Sequence, residues 1–168
     1  MAGCSSSVPR TILDAPTDSL TVVDAQQALD RAIGRRVRWG GSIIAVVNLE
    51  GSTQIEVLAR PLSRDGEPRR DAEGQGRFIA ELPGFVDPVE YPEGRLLTVV
   101  GPITGMTTRN VGEYPYRYPV LAATSRYLWP EREPYPYDPS RWNGWYDYRP
   151  WYGPWGPWLG PPYGPWWW

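Results

Sequence analysis

Apolar and polar residues alternate along the middle of the chain, and a period of two is the signature of strands with one dry face. Val37, Trp39, Gly41, Ile43, Ala45 and Val47 fall on one side of a first strand. The Gly40-Gly41 pair within it permits a bulge or sharp bend. Residues 48–51 predict a turn, and residues 53–59 return with Ile55, Val57 and Ala59 inward and Gln54 and Glu56 outward. Residues 77–81 predict a short strand, residues 96–103 a strong one, and residues 118–124 a last one. Between them lie a polar loop at 62–76 and a turn at 83–88 that carries Phe85 as an aromatic plug.

Ahead of the strands, Ala25, Ala28, Leu29, Ala32 and Ile33 recur at helical spacing. Asp24 predicts the N-cap and Gly34 the closing C′ residue. Residues 5–18 read as a tether. The fold expected is therefore mainly β: a small five-stranded, partly closed antiparallel barrel of the OB-like kind, with one short N-terminal helix. An open β-sandwich is the second choice. The organisation is a tether over 1–18, the barrel domain over 19–129, and an extension over 130–168.

Composition narrows the chemistry. The 168 residues include no His, which removes the usual general base, metal ligand and pH switch. One Cys excludes an internal disulfide and a Cys-based zinc site. All 17 basic residues are Arg, and the net charge of −2 gives no bulk attraction to nucleic acid. No run of 18 apolar residues is present to make a membrane-spanning helix.

The first residues, Met1-Ala2-Gly3-Cys4-Ser5-Ser6-Ser7, look like the end of a lipobox. There a signal peptidase cuts before the Cys, the thiol receives diacylglycerol, and the new α-amino group is acylated. The small residues suit a peptidase pocket that accepts extended backbone with little side chain. Ser5, in place of Asp, resembles the signal for export to the outer membrane.

The candidate chemistry elsewhere is thin. Asp65, Glu67, Asp71 and Glu73 share a loop with Arg64, Arg69 and Arg70, where a solvated loop is the better reading than a catalytic carboxylate pair. Gly74-Gln75-Gly76 and Gly101-Pro102 lack the Lys-Ser/Thr and strand-to-helix context of phosphate loops. Arg36, Arg38, Trp39 and Phe78 would make an aromatic, basic face for single strands, but Trp39 shares the dry face of Val37 and Ile43 and reads as barrel wall.

The order of several short motifs resembles the Slp family of outer-membrane lipoproteins, named for starvation or stress induction. The matching stretches are Val37-Arg38-Trp39-Gly40-Gly41, Ile55-Glu56-Val57, Pro61-Leu62, Gly76-Arg77-Phe78 and Gly84-Phe85-Val86-Asp87-Pro88. They continue with Thr98-Val99-Val100-Gly101-Pro102-Ile103-Thr104-Gly105, Tyr116, Pro119-Val120-Leu121 and Tyr127-Leu128-Trp129-Pro130. The resemblance covers about residues 4–130. It implies a lipoprotein of the outer membrane facing the periplasm, and it carries over no catalytic residue.

The extension departs from that pattern. From Pro130 to Trp168 it holds eight Trp, ten Pro, six Tyr and five Gly. Pro opposes helix and central strand, so a disordered low-complexity tail is expected. Trp142, Trp145, Trp151, Trp155, Trp158, Trp166, Trp167 and Trp168 are the candidate contact residues. A membrane–water interface ranks first for them, an envelope protein docked in polyproline form second, and a glycan third. The expected partners are thus outer-membrane lipid through acylated Cys4 and an envelope component through the tail, without nucleic acid. No enzyme activity, cofactor or metal is expected.

Overall fold

The computed structural model describes residues 8–14 and 19–131. Six strands follow one another: β1 (Arg36–Leu49), β2 (Ser52–Ala59), β3 (Arg77–Pro83), β4 (Leu96–Val111), β5 (Tyr114–Ala122) and β6 (Ser125–Leu128). Three short helices precede them: α1 (Arg10–Leu13), α2 (Val22–Gln27) and α3 (Leu29–Ala32). The sheet order is β1-β2-β3-β5-β4-β6, and β4 also pairs with β1. That last pairing closes five strands into a ring, as expected of an OB-like barrel. Pairing is antiparallel throughout except between β3 and β5, which run parallel over Ile79↔Val120, Ala80↔Leu121 and Glu81↔Ala122. The sixth strand, β6, is an addition: it pairs with β4 from Leu97↔Leu128 to Val100↔Ser125.

Strand β1 works twice, and this is what bends the sheet into a barrel. Residues from Arg36 to Ser42 pair with β4, and residues from Gly41 to Leu49 pair with β2. At the overlap a side chain has no room: a Cβ on Gly41 would lie 1.8 Å from the Leu58 carbonyl oxygen. Gly101 on β4 meets the Ala122 carbonyl at the same distance of 1.8 Å. The glycines permit close backbone approach. The bulge itself falls later, between Ile43 and Ala45. That slip reverses the alternation beyond it, so Val46 packs against the core while Val47 is 42% exposed. The single apolar face expected from Val37 to Val47 therefore holds only as far as Ile43.

The lumen is filled by side chains. Val37, Trp39, Ile43, Ile55, Val57 and Phe78 are buried, as are Ala80, Leu82, Leu97, Val99, Ile103 and Leu121. Trp39 meets Phe78 edge-on at 5.3 Å, and its indole N–H donates to the Leu20 carbonyl at 2.8 Å. This satisfies the one polar atom that a buried Trp brings.

Four local expectations are corrected. Thr21, rather than Asp24, is the N-cap: its hydroxyl accepts from the Asp24 N–H at 3.1 Å, and the Asp24 carboxylate accepts from the Thr21 N–H at 3.0 Å. Asp24 is thus the N3 partner of a capping box, and its pKa is lowered first by the Thr21 hydroxyl, which donates to the carboxylate at 2.7 Å, and then by the Thr21 N–H. The helix expected over 25–33 is also broken at Ala28 into α2 and α3, leaving Ile33 51% exposed. Gly34 follows with φ of 78°, as the closing residue should.

The stretch read as a tether contains α1, whose Ile12 is fully buried against Val100 on the outside of β4. Phe85 is no plug: it is 75% exposed, and its neighbour Val86 is the residue that is buried. The Thr53 hydroxyl holds this turn, accepting from the Val86 N–H at 3.0 Å and donating to the Gly84 carbonyl at 2.9 Å.

Candidate functional site

A filled lumen leaves the outside of the barrel as the working surface. Its two broad faces are largely covered. On the β1–β4 side, Thr98 donates to the Gly66 carbonyl at 2.7 Å and accepts from the Trp129 indole at 2.9 Å. The β2–β3 loop, Trp129 and α1 thus lie over this side. Arg38 clips α1 in place by donating to the carbonyls of Ile12 (2.8 Å) and Leu13 (3.2 Å). A cation at a helix C-terminus also meets the negative end of the backbone dipoles.

On the β2–β3 side, the β4–β5 hairpin reaches across. Arg109 donates to Gln54, and the Tyr118 hydroxyl donates to Glu56 at 2.9 Å. The Arg77 guanidinium donates to the same Glu56 oxygen at 2.9 Å, and the Arg77 N–H donates to the Tyr116 hydroxyl at 3.0 Å. Ile79 alternates with the inward Phe78 and Ala80, yet it too is fully buried. Burial works against the Arg77 charge, but the bonds to Glu56 and Tyr118 outweigh it and raise its pKa. The Tyr118 phenol is also pushed up, by burial first and by its bond to Glu56 second.

That arrangement is structural, and it makes a prediction. A phenol whose folded pKa lies above the ordinary 10.0 contributes stability that is intact below that value and is lost as pH rises through the folded one. Tyr118→Phe should cost about 1.5–3 kcal/mol at neutral pH, the worth of a hydrogen bond to a charged group. It should also flatten the fall in stability above pH ~10. Denaturant melts of both proteins at neutral and alkaline pH check this, and an unchanged alkaline slope would remove Tyr118 as its source.

Besides a pocket of about 530 Å³ in the β2–β3 loop, lined by Ser63, Glu67 and residues 68–72, a cleft of about 280 Å³ lies where the segment before α2 passes the ends of β1 and β2. Arg38, Arg60, Ser19, Thr21 and Gln75 supply its polar wall, and Leu20 and Leu62 part of its apolar wall. Arg60 is fixed by donating to Ser42 Oγ at 3.1 Å, to the Arg70 carbonyl at 2.9 Å and to the Ala72 carbonyl. At another part of the surface, Phe85 and Val89 of the β3–β4 loop are 75% and 84% exposed.

The sequence-predicted candidates fall as follows. Trp39 and Phe78 are buried, so they form no stacking surface with Arg36 and Arg38. Asp65, Asp71 and Glu73 are exposed and Glu67 is half-buried. Among the described residues no group of three or more His, Cys, Asp or Glu is placed to hold a metal ion. Cys4 and the eight Trp between 142 and 168 lie outside the described residues. Sequence reasoning missed the cleft, because Arg60 reaches it only through the pairing of β2 with β1. The one signal available was an Arg directly after the last inward residue of a strand, Ala59.

The profile of the outer membrane lipoprotein Slp family matches residues 1–167. The chain belongs to the Slp family of outer membrane lipoproteins. Among similar proteins, the uncharacterized lipoprotein YeaY of Escherichia coli is 35% identical over 165 residues, covering 92% of this chain and 84% of YeaY. The outer membrane protein Slp of the same organism is 30% identical, covering 79% of this chain and 71% of Slp. Among solved structures, a small single-stranded DNA-binding protein from Streptomyces coelicolor aligns with a TM-score of 0.36 at 13% identity, covering 56% of this chain and 94% of that one. The resemblance to the Slp family read from the motifs at 37–41, 98–105 and 127–130 is thus borne out.

Proposed function

We propose that this Slp-family chain is a non-enzymatic interaction lipoprotein of the cell envelope, held on the periplasmic face of the outer membrane by acyl chains on Cys4. The observation that carries this reading is the filled barrel: twelve apolar side chains occupy the lumen, leaving it no room for a substrate. The covered outer faces support it. Such a body suits a rigid platform that presents its loops and its C-terminal extension to other envelope components. A role under stress or starvation follows from the family resemblance. Nucleic acid stays outside the proposal, since the aromatic side chains that would stack on bases are buried.

For the extension we assign the Trp side chains from Trp142 to Trp168 to a lipid–water interface, where an apolar ring and a polar N–H are both satisfied. A lipid on Cys4 places them near such a surface. Reach is not limiting, since an extended segment of this length spans on the order of 120 Å at ~3.1 Å per residue. Tryptophan fluorescence of the non-lipidated chain should shift to the blue when vesicles are added, and deletion of residues 131–168 should abolish the shift. The second reading is a ligand-binding role, with an envelope protein or a glycan held by the tail or the barrel face. An unshifted spectrum, together with capture of a soluble envelope protein or a glycan through residues 131–168, would put that reading in its place.

A further inference from the structure

We propose that the cleft between Arg38 and Arg60 binds a phosphate-bearing anionic group. Both arginines line it, and among the described residues its wall contains no Asp or Glu. Each arginine is held by neutral acceptors: Arg38 by the carbonyls of Ile12 and Leu13, Arg60 by Ser42 and the carbonyls of Arg70 and Ala72. Those bonds fix the side chains without cancelling either charge. Arg77, by contrast, has its carboxylate in Glu56 at 2.9 Å. Donors also remain. Arg38 uses only Nη1 and Arg60 only Nε and Nη1, so neither Nη2 has a hydrogen-bond partner among the described residues. No buried side-chain nitrogen or oxygen lacks a partner, so these free donors are open to solvent.

An anion in the cleft gains from the positive charge of both arginines. Guanidinium donors match phosphate oxygens in geometry and form strong, charge-assisted bonds. Ser19, Thr21 and Gln75 add neutral polar atoms at the wall. The volume of about 280 Å³ suits a single phosphate group with a small substituent rather than a drug-sized molecule. Two sources share this chemistry: free phosphate compounds and the headgroup of an anionic phospholipid. Neither requires the lipid on Cys4 or the tail, so the proposal stands apart from the function proposed above.

The test uses the full-length chain carrying Cys4→Ser, labelled with ¹⁵N and titrated with inorganic phosphate at constant ionic strength. Saturable shifts are expected at the Arg38 and Arg60 side-chain N–H groups, the Trp39 indole and the Gln75 amide, with none from chloride. Arg38→Gln and Arg60→Gln should each weaken the effect by roughly tenfold or more, the worth of a charged hydrogen bond. Because Arg38 also clips α1, the wild-type titration decides the matter if that variant loses structure.

Vesicles separate the sources. Tighter binding to phosphatidylcholine vesicles that contain phosphatidylglycerol than to phosphatidylcholine alone, lost in Arg60→Gln, assigns the cleft to a lipid headgroup. Phosphate binding in the cleft without that preference assigns it to a free phosphate compound. No saturable shift at the cleft, or shifts spread evenly over the exposed arginines, overturns the proposal.

Discussion

Cys4→Ser should release the protein from the membrane. In fractionated cells the wild type is expected in the outer-membrane pellet and the variant in the soluble fraction, with the same fold by circular dichroism. The size of the effect follows from the anchor. Each buried CH₂ contributes roughly 0.8 kcal/mol, and two or three acyl chains therefore hold a protein of this size effectively permanently. Among the described residues no helix is long and apolar enough to cross a membrane. Retention of the variant in the pellet, resistant to salt and carbonate washing, would transfer the anchoring to the Trp-rich extension or to another surface.

Substitution at the two closest backbone approaches should have the next largest effect. A Cβ on Gly41 would sit 1.8 Å from the Leu58 carbonyl oxygen and one on Gly101 1.8 Å from that of Ala122. Both obstacles are backbone atoms in paired strands, so neither can swing aside as a flexible side chain would. Gly41→Ala and Gly101→Ala are each expected to cost at least about 3 kcal/mol, the upper range for overpacking. For a domain of this size that lowers Tm by roughly 12 °C or more. Gly105→Ala is the control: nothing lies within 4 Å of its Cβ, and a change within about 0.5 kcal/mol is expected. Thermal melts of the three variants measure this. Equal melting temperatures for Gly41→Ala and Gly105→Ala would mean that β1 does not pass β2 as closely as described.

The parts of the fold that were legible are those where one face of a strand is dry. Ile55, Val57 and Ala59 alternate with Gln54, Glu56 and Leu58, and the burial follows that alternation residue by residue. The bulge after Ile43 was not legible, because Ile44, Ala45, Val46 and Val47 are all apolar and no period survives in such a run. The Gly pair drew attention as the bend, and its actual part is to let strands approach.

The outer half of the β4–β5 hairpin also escaped notice. Past Ile103, β4 extends beyond the ring to Val111, so Thr107, Thr108 and Arg109 show no hydrophobic alternation. At the helix, Thr21 and Asp24 are both good caps; the reciprocal bonds that decide between them depend on geometry the composition does not specify. Ile12 in α1 carried no periodic signal because a four-residue helix is shorter than the period needed to show one. Phe85 was misplaced by its size: large aromatics are usually buried, but Thr53 fixes the turn so that Val86 enters the barrel instead.

The lack of His and the single Cys bounded the chemistry that could be expected. The Arg38–Arg60 cleft was out of reach, since the two residues are 22 positions apart in sequence and meet only because the end of β2 pairs back along β1, through Gly41↔Ala59 and the Arg60 N–H to the Gly40 carbonyl at 2.9 Å.

The intact mass of the wild-type protein extracted from its own outer membrane tests the lipid on Cys4 most directly. The predicted result is a mass above that of the polypeptide by the acylated glyceryl group and an amide-linked chain, with the excess confined to the peptide that begins at Cys4. Membrane-extracted protein whose Cys4 carries an unmodified thiol would contradict it.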